Sequence, residues 1–259
     1  MNYKIIDFHT HPYFDEKTNI CRYKEFTFSP DVYKKQLQSL GIEKICGSVL
    51  APMKKISYWE DVQQLNDTAQ KLKEELGDFY IVGNQIHPHY VKESVATIDG
   101  MRKRGELLIG ELVPSALGFS YADEGLNDIL SSANGMVFSF HSTVGGEEQH
   151  MAIERLIARY KDVTFVAAHP GETDFVEMHI SRMQKYDNYY LDVSGTGLFR
   201  QGMLSHVINK VGSERILFGS DFPTCTPNMF VGGVVNDYLI SDKDKENVLY
   251  NNAKRLLKL

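Results

Sequence analysis

The stretch Tyr3-Lys4-Ile5-Ile6-Asp7-Phe8-His9-Thr10-His11-Pro12 carries the pattern that decides the fold. A short run of β-formers ends in polar residues, and a less regular segment follows. The unit starting at 3–9 recurs at 44–50, 79–86, 107–112, 136–141, 163–169, 189–194 and 215–220. Helical patterns lie between these runs. One covers 30–40, with Ser29 as N-cap, Pro30 at the first position and Gly41 as stop. Another covers 61–76, with Val62, Leu65, Ala69, Leu72 and Leu76 at helical spacing. A third covers 147–160, and the last opens on Ser241 with Asp244 at capping-box distance.

Strands alternating with helices predict a parallel sheet with helices outside. Spread over eight units, 259 residues give about 32 each, close to the usual size of a (β/α)8 barrel. A single TIM barrel spanning 1–259 as one domain is therefore expected. An open doubly wound sheet is the competing arrangement, and no GxGxxG follows the first strand to support it.

Composition narrows the function classes. Hydrophobic residues make up 42%, enough for a sizeable core. The net charge of −6 argues against a nucleic-acid or anionic-membrane partner. No apolar run approaches the roughly 18 residues of a spanning helix, and the N-terminus shows no signal-peptide pattern. Cys21, Cys46 and Cys225 lack CxxC spacing and read as reduced thiols. A cytoplasmic protein is expected.

The strongest chemical signal is His9-Thr10-His11. Alternate strand residues share a side, so the two imidazoles point together, with Phe8 and Thr10 facing the helices. Paired imidazoles at a strand end suit a borderline metal ion. Asp7, deeper on the same side, is placed to orient a ligand histidine. Ordinary polar residues at a strand end are the plain alternative, but further positions weigh against it. Glu111, His141 and His169 end strands four, five and six, and Asp221 directly follows strand eight. Six nitrogen or oxygen ligands thus fall on the C-terminal rim, where barrel active sites form.

These residues resemble the amidohydrolase superfamily of metal-dependent barrels. The similarity lies in IIDFHTHP, FSFH, FVAAHPG, YYLDVSG, RILFGSDFP and the closing ENVLYNNAKRLL, in order along nearly the whole chain. GSDFP and HPG are most similar to the amidohydrolase-2 branch, which includes hydrolases and non-oxidative decarboxylases. Glu111 departs from those decarboxylases and looks like the metal-bridging glutamate of TatD-type enzymes. Gln85-Ile86-His87-Pro88-His89 also resembles TatD, whereas strand eight and the IGELVP segment do not. No lysine ends strand four or five, so a carboxylated-lysine bridge is not expected.

The resemblance implies that His9, His11 and Asp221 hold one metal, that His141 and His169 hold a second, and that Glu111 bridges them. It implies Asp221 as the catalytic proton carrier. Two divalent ions are preferred over one, zinc being the default and manganese also suiting the ligands. The expected activity is metal-assisted hydrolysis of a small carboxylic ester, lactone, amide or phosphoester. The alternatives are a mononuclear decarboxylase with His169 as proton donor, a TatD-like deoxyribonuclease, and a non-catalytic ligand- or metal-binding barrel.

The expected partner is a small molecule, anionic ones included; homo-oligomers are left open. His87 and Arg200 are candidate substrate-binding residues, the latter as an anion clamp. Lys54 and Lys55 are further anion candidates in the loop after strand two, with solvated charge as the favoured alternative. His150, His179 and His206 read as surface or packing residues. The loops 12–29 and 113–121 are expected to cover the barrel mouth. Cys21 and Cys225, in rim loops, read as bystanders.

Overall fold

The computed structural model describes residues 3–50, 56 and 58–259. Lys54 and Lys55 lie outside the described residues. Eight parallel strands pair in chain order from β1 to β8. They are β1 (Ile5–Asp7), β2 (Ile42–Ser48), β3 (Tyr80–Asn84), β4 (Leu108–Leu112), β5 (Val137–His141), β6 (Thr164–Ala168), β7 (Tyr189–Asp192) and β8 (Ile216–Leu217). The main intervening helices are α1 (Pro30–Ser39), α2 (Trp59–Leu76), α3 (Val91–Arg104), α4 (Pro114–Leu117), α5 (Gly125–Ser131), α6 (Glu147–Arg159), α7 (Thr173–Lys185) and α8 (Met203–Val211). After β8 come α9 (Pro227–Val235), α10 (Asp242–Glu246), a π-helical turn Asn247–Asn251 and α11 (Asn252–Leu256).

The sheet closes just past the regular strands. Phe8 N donates to Phe218 O at 2.8 Å, Asp221 N to His9 O at 2.9 Å and His11 N to Phe222 O at 2.6 Å. A parallel bridge joins Thr10 to Phe222. The expected (β/α)8 barrel is therefore present, and its seam runs through the His9–His11 and Asp221 segments.

Two apolar clusters divide the barrel walls. The larger packs strand residues such as Ile45, Ile109, Phe138 and Phe165 against helix residues such as Tyr33, Leu72, Ile98 and Ile153. The smaller gathers Ile6, Phe8, Cys46, Leu108, Val137, Val166 and Leu217 with Ala253 and Leu257 at the C-terminus. Residues from six different strands meet only inside a barrel, so this cluster fills its interior. Phe8 belongs here and not to the helix-facing core. Phe8 shares the interior side with Ile6, as alternation requires, and the alternation breaks one step later, where His9 also turns inward toward Glu111.

Helix ends mostly follow the sequence pattern. Ser241 Oγ accepts from Asp244 N at 3.2 Å, as the capping spacing predicts. Ser29 behaves differently: its hydroxyl donates to Asp31 Oδ1 at 2.6 Å, and its carbonyl, not its side chain, receives the first helix amides. No described helix is long and apolar enough to cross a membrane.

Candidate metal centre

Each strand in this barrel ends on the same rim, so residues distant in sequence converge there. Glu111 stands at the centre, buried. Its Oε2 lies 3.3 Å from His9 Nε2 and 3.2 Å from His11 Nε2. Its Oε1 lies 3.0 Å from His141 Nδ1 and 3.5 Å from His169 Nε2. One carboxylate thus faces two separate imidazole pairs, one with each oxygen. Asp221 Oδ1 sits 3.7 Å from both His9 Nε2 and His11 Nε2. All six residues singled out on the strand ends are therefore brought together.

The outer nitrogens of the rings are also occupied. His11 Nδ1 meets Ser48 O at 2.9 Å, and His141 Nε2 meets Thr143 Oγ1 at 3.1 Å. His9 Nδ1 meets Asp192 Oδ2 at 2.8 Å. Ser194 Oγ lies 3.0 Å from both His9 Nδ1 and His169 Nδ1, and it donates to Asp192 Oδ1. Asp192 and Ser194 lie in the YYLDVSG motif, outside the six predicted ligands. The signal that found the other residues, a polar group ending a strand, applies equally to them.

Burial and charge compete at this centre. Desolvation alone would push Glu111 up, but the His9 charge and hydrogen bonds from His11, His141 and His169 hold it well below the usual carboxylate range. Desolvation opposes charge on His9, yet the Asp192 and Glu111 carboxylates raise its pKa well above the ordinary imidazole value. His169 is raised too, with Glu111 outweighing burial. Asp7 accepts from the His9 backbone N at 3.3 Å, and its described hydrogen bonds do not include the His9 ring. It binds β8, accepting from Ser220 N at 2.9 Å and Ser220 Oγ at 2.5 Å, and burial pushes it up to about 7.

Two side-chain-bearing residues of the rim have left-handed backbone. His169 and Asp221 adopt left-handed φ of 71° and 59°, conformations that side-chain-bearing residues rarely take outside constrained sites. Ser142 Oγ donates to His169 O at 2.9 Å, and Asp221 is pinned by its bond to His9 O. Gly195 is required below the His169 ring, because a Cβ there would lie 2.3 Å from Nδ1.

The described hydrogen bonds of His87 and Arg200 go to groups other than the six rim residues. His87 Nε2 donates to Leu117 O at 2.9 Å, and Nδ1 accepts from His89 N at 3.2 Å. Nε2 thus ties the loop after β3 to the segment after β4, while Nδ1 braces the β3 loop itself. Arg200 is exposed and bonded through Nε and Nη2 to Glu172 Oε2 at 3.1 and 2.9 Å. His206 pairs with Glu177 on the surface, and His179 is buried between Tyr189 and Ser142. The aromatic first loop reaches the rim: Tyr13, Phe26 and Phe28 line a cavity of about 560 Å³ with Phe222 and Cys225. That cavity runs along α1, and none of the six rim residues lines it.

Among the described residues, His9, His11 and Asp221 form one group whose ligand atoms lie within 4.8 Å of one another. Glu111, His141 and His169 form another, and His9, His169 and Asp192 a third. Imidazole and carboxylate donors in such groups fit a divalent first-row cation. Fold and rim together define a (β/α)8 barrel with a buried histidine–carboxylate centre at its C-terminal end. The model of the amidohydrolase-2 family matches residues 6–259, and the chain belongs to that family.

Several proteins that it resembles are decarboxylases. A 2,6-dihydroxybenzoate decarboxylase from Rhizobium superposes with a TM-score of 0.74 at 14% identity, covering 99% of each chain. A dihydroxybenzoic acid decarboxylase from Polaromonas, solved with manganese and the inhibitor 2-nitroresorcinol, gives 0.65 at 15% identity, covering 99% of this chain and 97% of that one. A 2-amino-3-carboxymuconate-6-semialdehyde decarboxylase from Caenorhabditis elegans is 42% identical over 55 residues, which is 21% of this chain and 14% of that enzyme.

Proposed function

We propose that this chain is a divalent-metal-dependent hydrolase of a small carboxylic ester, lactone, amide or phosphoester. The observation that carries the proposal is the placement of Glu111, one oxygen toward His9 and His11 and the other toward His141 and His169. His9, His11 and Asp221 would hold one cation, His141 and His169 a second, with Glu111 between them. Zinc or manganese suits the donor set. A bound cation pair would acidify a water and polarise the substrate oxygen.

The chain's own groups do the rest. Asp221 is the proton carrier. Its Oδ1 faces the imidazoles, while Oδ2 points elsewhere, 3.9 Å from Cys225 Sγ. Burial, then Asp221 itself, pushes the Cys225 thiol up to about 11, so it stays protonated beside that oxygen. This long, weak thiol hydrogen bond leaves Oδ2 able to take a proton and hand it to a leaving group. Asp221 is only 9% exposed, which limits competing protons from bulk water.

Decarboxylation of a small aromatic carboxylate is the second reading, favoured by the relatives named above. In that reading one cation suffices, His169 donates the proton, and Glu111 supports the ligands from outside. One experiment separates the two: metal content of chelator-free protein, with a panel of lactones, aryl esters, dipeptides, phosphoesters and hydroxybenzoates. Near two equivalents of metal with acid release supports hydrolysis. One equivalent with CO2 release replaces it by decarboxylation. Less than about 0.2 equivalents in folded protein removes both.

A further inference from the structure

We propose that Asp192 and Ser194 form one clamp that couples the two cation positions, so that both gain or lose affinity together. The proposal rests on the assignment, made above, of His9 to one position and His169 to the other. Those two rings are assigned to different cation positions, yet their outer nitrogens converge on a single hydroxyl. Ser194 Oγ is 3.0 Å from His9 Nδ1 and 3.0 Å from His169 Nδ1.

A serine hydroxyl has one proton to give, and here it goes to Asp192 Oδ1. Ser194 Oγ can therefore only accept from the imidazoles. The other Asp192 oxygen accepts from His9 Nδ1 at 2.8 Å. Both rings are thus held with the proton on Nδ1 and the Nε2 lone pair turned inward. His9 Nε2 then faces His11 and Glu111 Oε2, and His169 Nε2 faces Glu111 Oε1. One carboxylate sets tautomer and orientation on both sides of the centre.

The same two residues hold the backbone beneath. Asp192 Oδ1 accepts from Ser194 N at 2.9 Å and His169 N at 3.4 Å. Asp192 and Ser194 are fully buried, so water does not substitute for a lost partner. His11 and His141 differ: each leans on its own partner, Ser48 O and Thr143 Oγ1. Losing one of those affects one ring.

The test titrates the metal-stripped full chain with Mn2+ alone, reading free Mn2+ by electron paramagnetic resonance, with thermal melts alongside. The wild type should take up two ions. Ser194→Ala and Asp192→Asn should each weaken both positions by about 10- to 100-fold. Thr143→Val should weaken one. A Ser194→Ala protein that weakens only one position, or that melts lower while keeping both affinities, overturns the clamp. Should Ser194→Ala not fold, Asp192→Asn reads the same two affinities by the same criteria. A wild type that takes up fewer than two ions fails earlier and refutes the two-position assignment itself.

Discussion

At the N-terminal end of the barrel, Ile6, Leu108, Val137, Val166 and Leu217 fill the interior, and Ala253 and Leu257 pack against them. A few residues further along the same strands stand His9, Glu111, His141, His169 and, after β8, Asp221. The floor and the rim are equally enclosed by backbone but obey different rules. Floor residues gain from leaving water, in proportion to the area they bury. Rim residues lose hydration and recover it only through one another, so each depends on its partners. Damage to the floor should therefore cost stability and spare chemistry, whereas damage to the rim should do the reverse.

The largest expected effect is on the rim. Glu111→Gln keeps the side chain's size but removes the charge that four imidazoles share. Activity should fall by about 1,000-fold or more, the several kcal/mol expected of a metal-assisted step, and metal analysis should find at least one equivalent missing. Full activity in this variant would break the contrast at its centre. Next comes the floor. Leu108→Ala should cost about 3 kcal/mol by urea denaturation, since neighbours refill such a cavity only in part. The folded variant should retain its metal content; a coupled loss of metal would show that the floor positions the rim.

The smallest effect sharpens the boundary between the two regions. His179 is fully buried in α7, with Nδ1 2.7 Å from the Tyr189 hydroxyl and Nε2 3.4 Å from Ser142 Oγ. Burial, helped by the Arg182 charge, depresses its pKa to about 3. The unfolded chain takes up this proton below about 6.5, while the folded chain does not until about 3. Its contribution to stability is thus full above pH 6.5 and is lost as pH falls toward 3. Between pH 7 and 5 the wild type should lose about 2 kcal/mol more than His179→Gln. Parallel losses in the two proteins would place the acid sensitivity in the rim instead.

The legibility of this molecule follows the same division. All eight strands lie within the runs read as strands, or within two residues of them, because β-branched and aromatic runs ending in polar residues recur at barrel spacing. The six rim residues were legible because a parallel barrel places every strand's C-terminal end on one side. Phe8 faces the interior, not the helices, because alternation runs from Ile6 through Phe8 and breaks between Phe8 and His9, which adjacent-residue alternation does not foresee. Ser29 stands at the N-cap before Pro30 as its position predicts, though its hydroxyl turns to Asp31 and leaves the capping to its carbonyl.

What the sequence determined by itself is the order of strands and helices and the residue types that end each strand. Those depend on local pattern, which a linear chain carries in full. Only the tertiary structure decided that Glu111 turns one oxygen to each imidazole pair, and that Asp192 and Ser194 stand behind His9 and His169. It also decided that both nitrogens of His87 are spent on backbone. Such pairings span up to 185 residues, between Ser194 and His9. They arise because closing the barrel brings its first and last strands into contact, and the direction of a buried polar side chain is set by whichever partners then surround it.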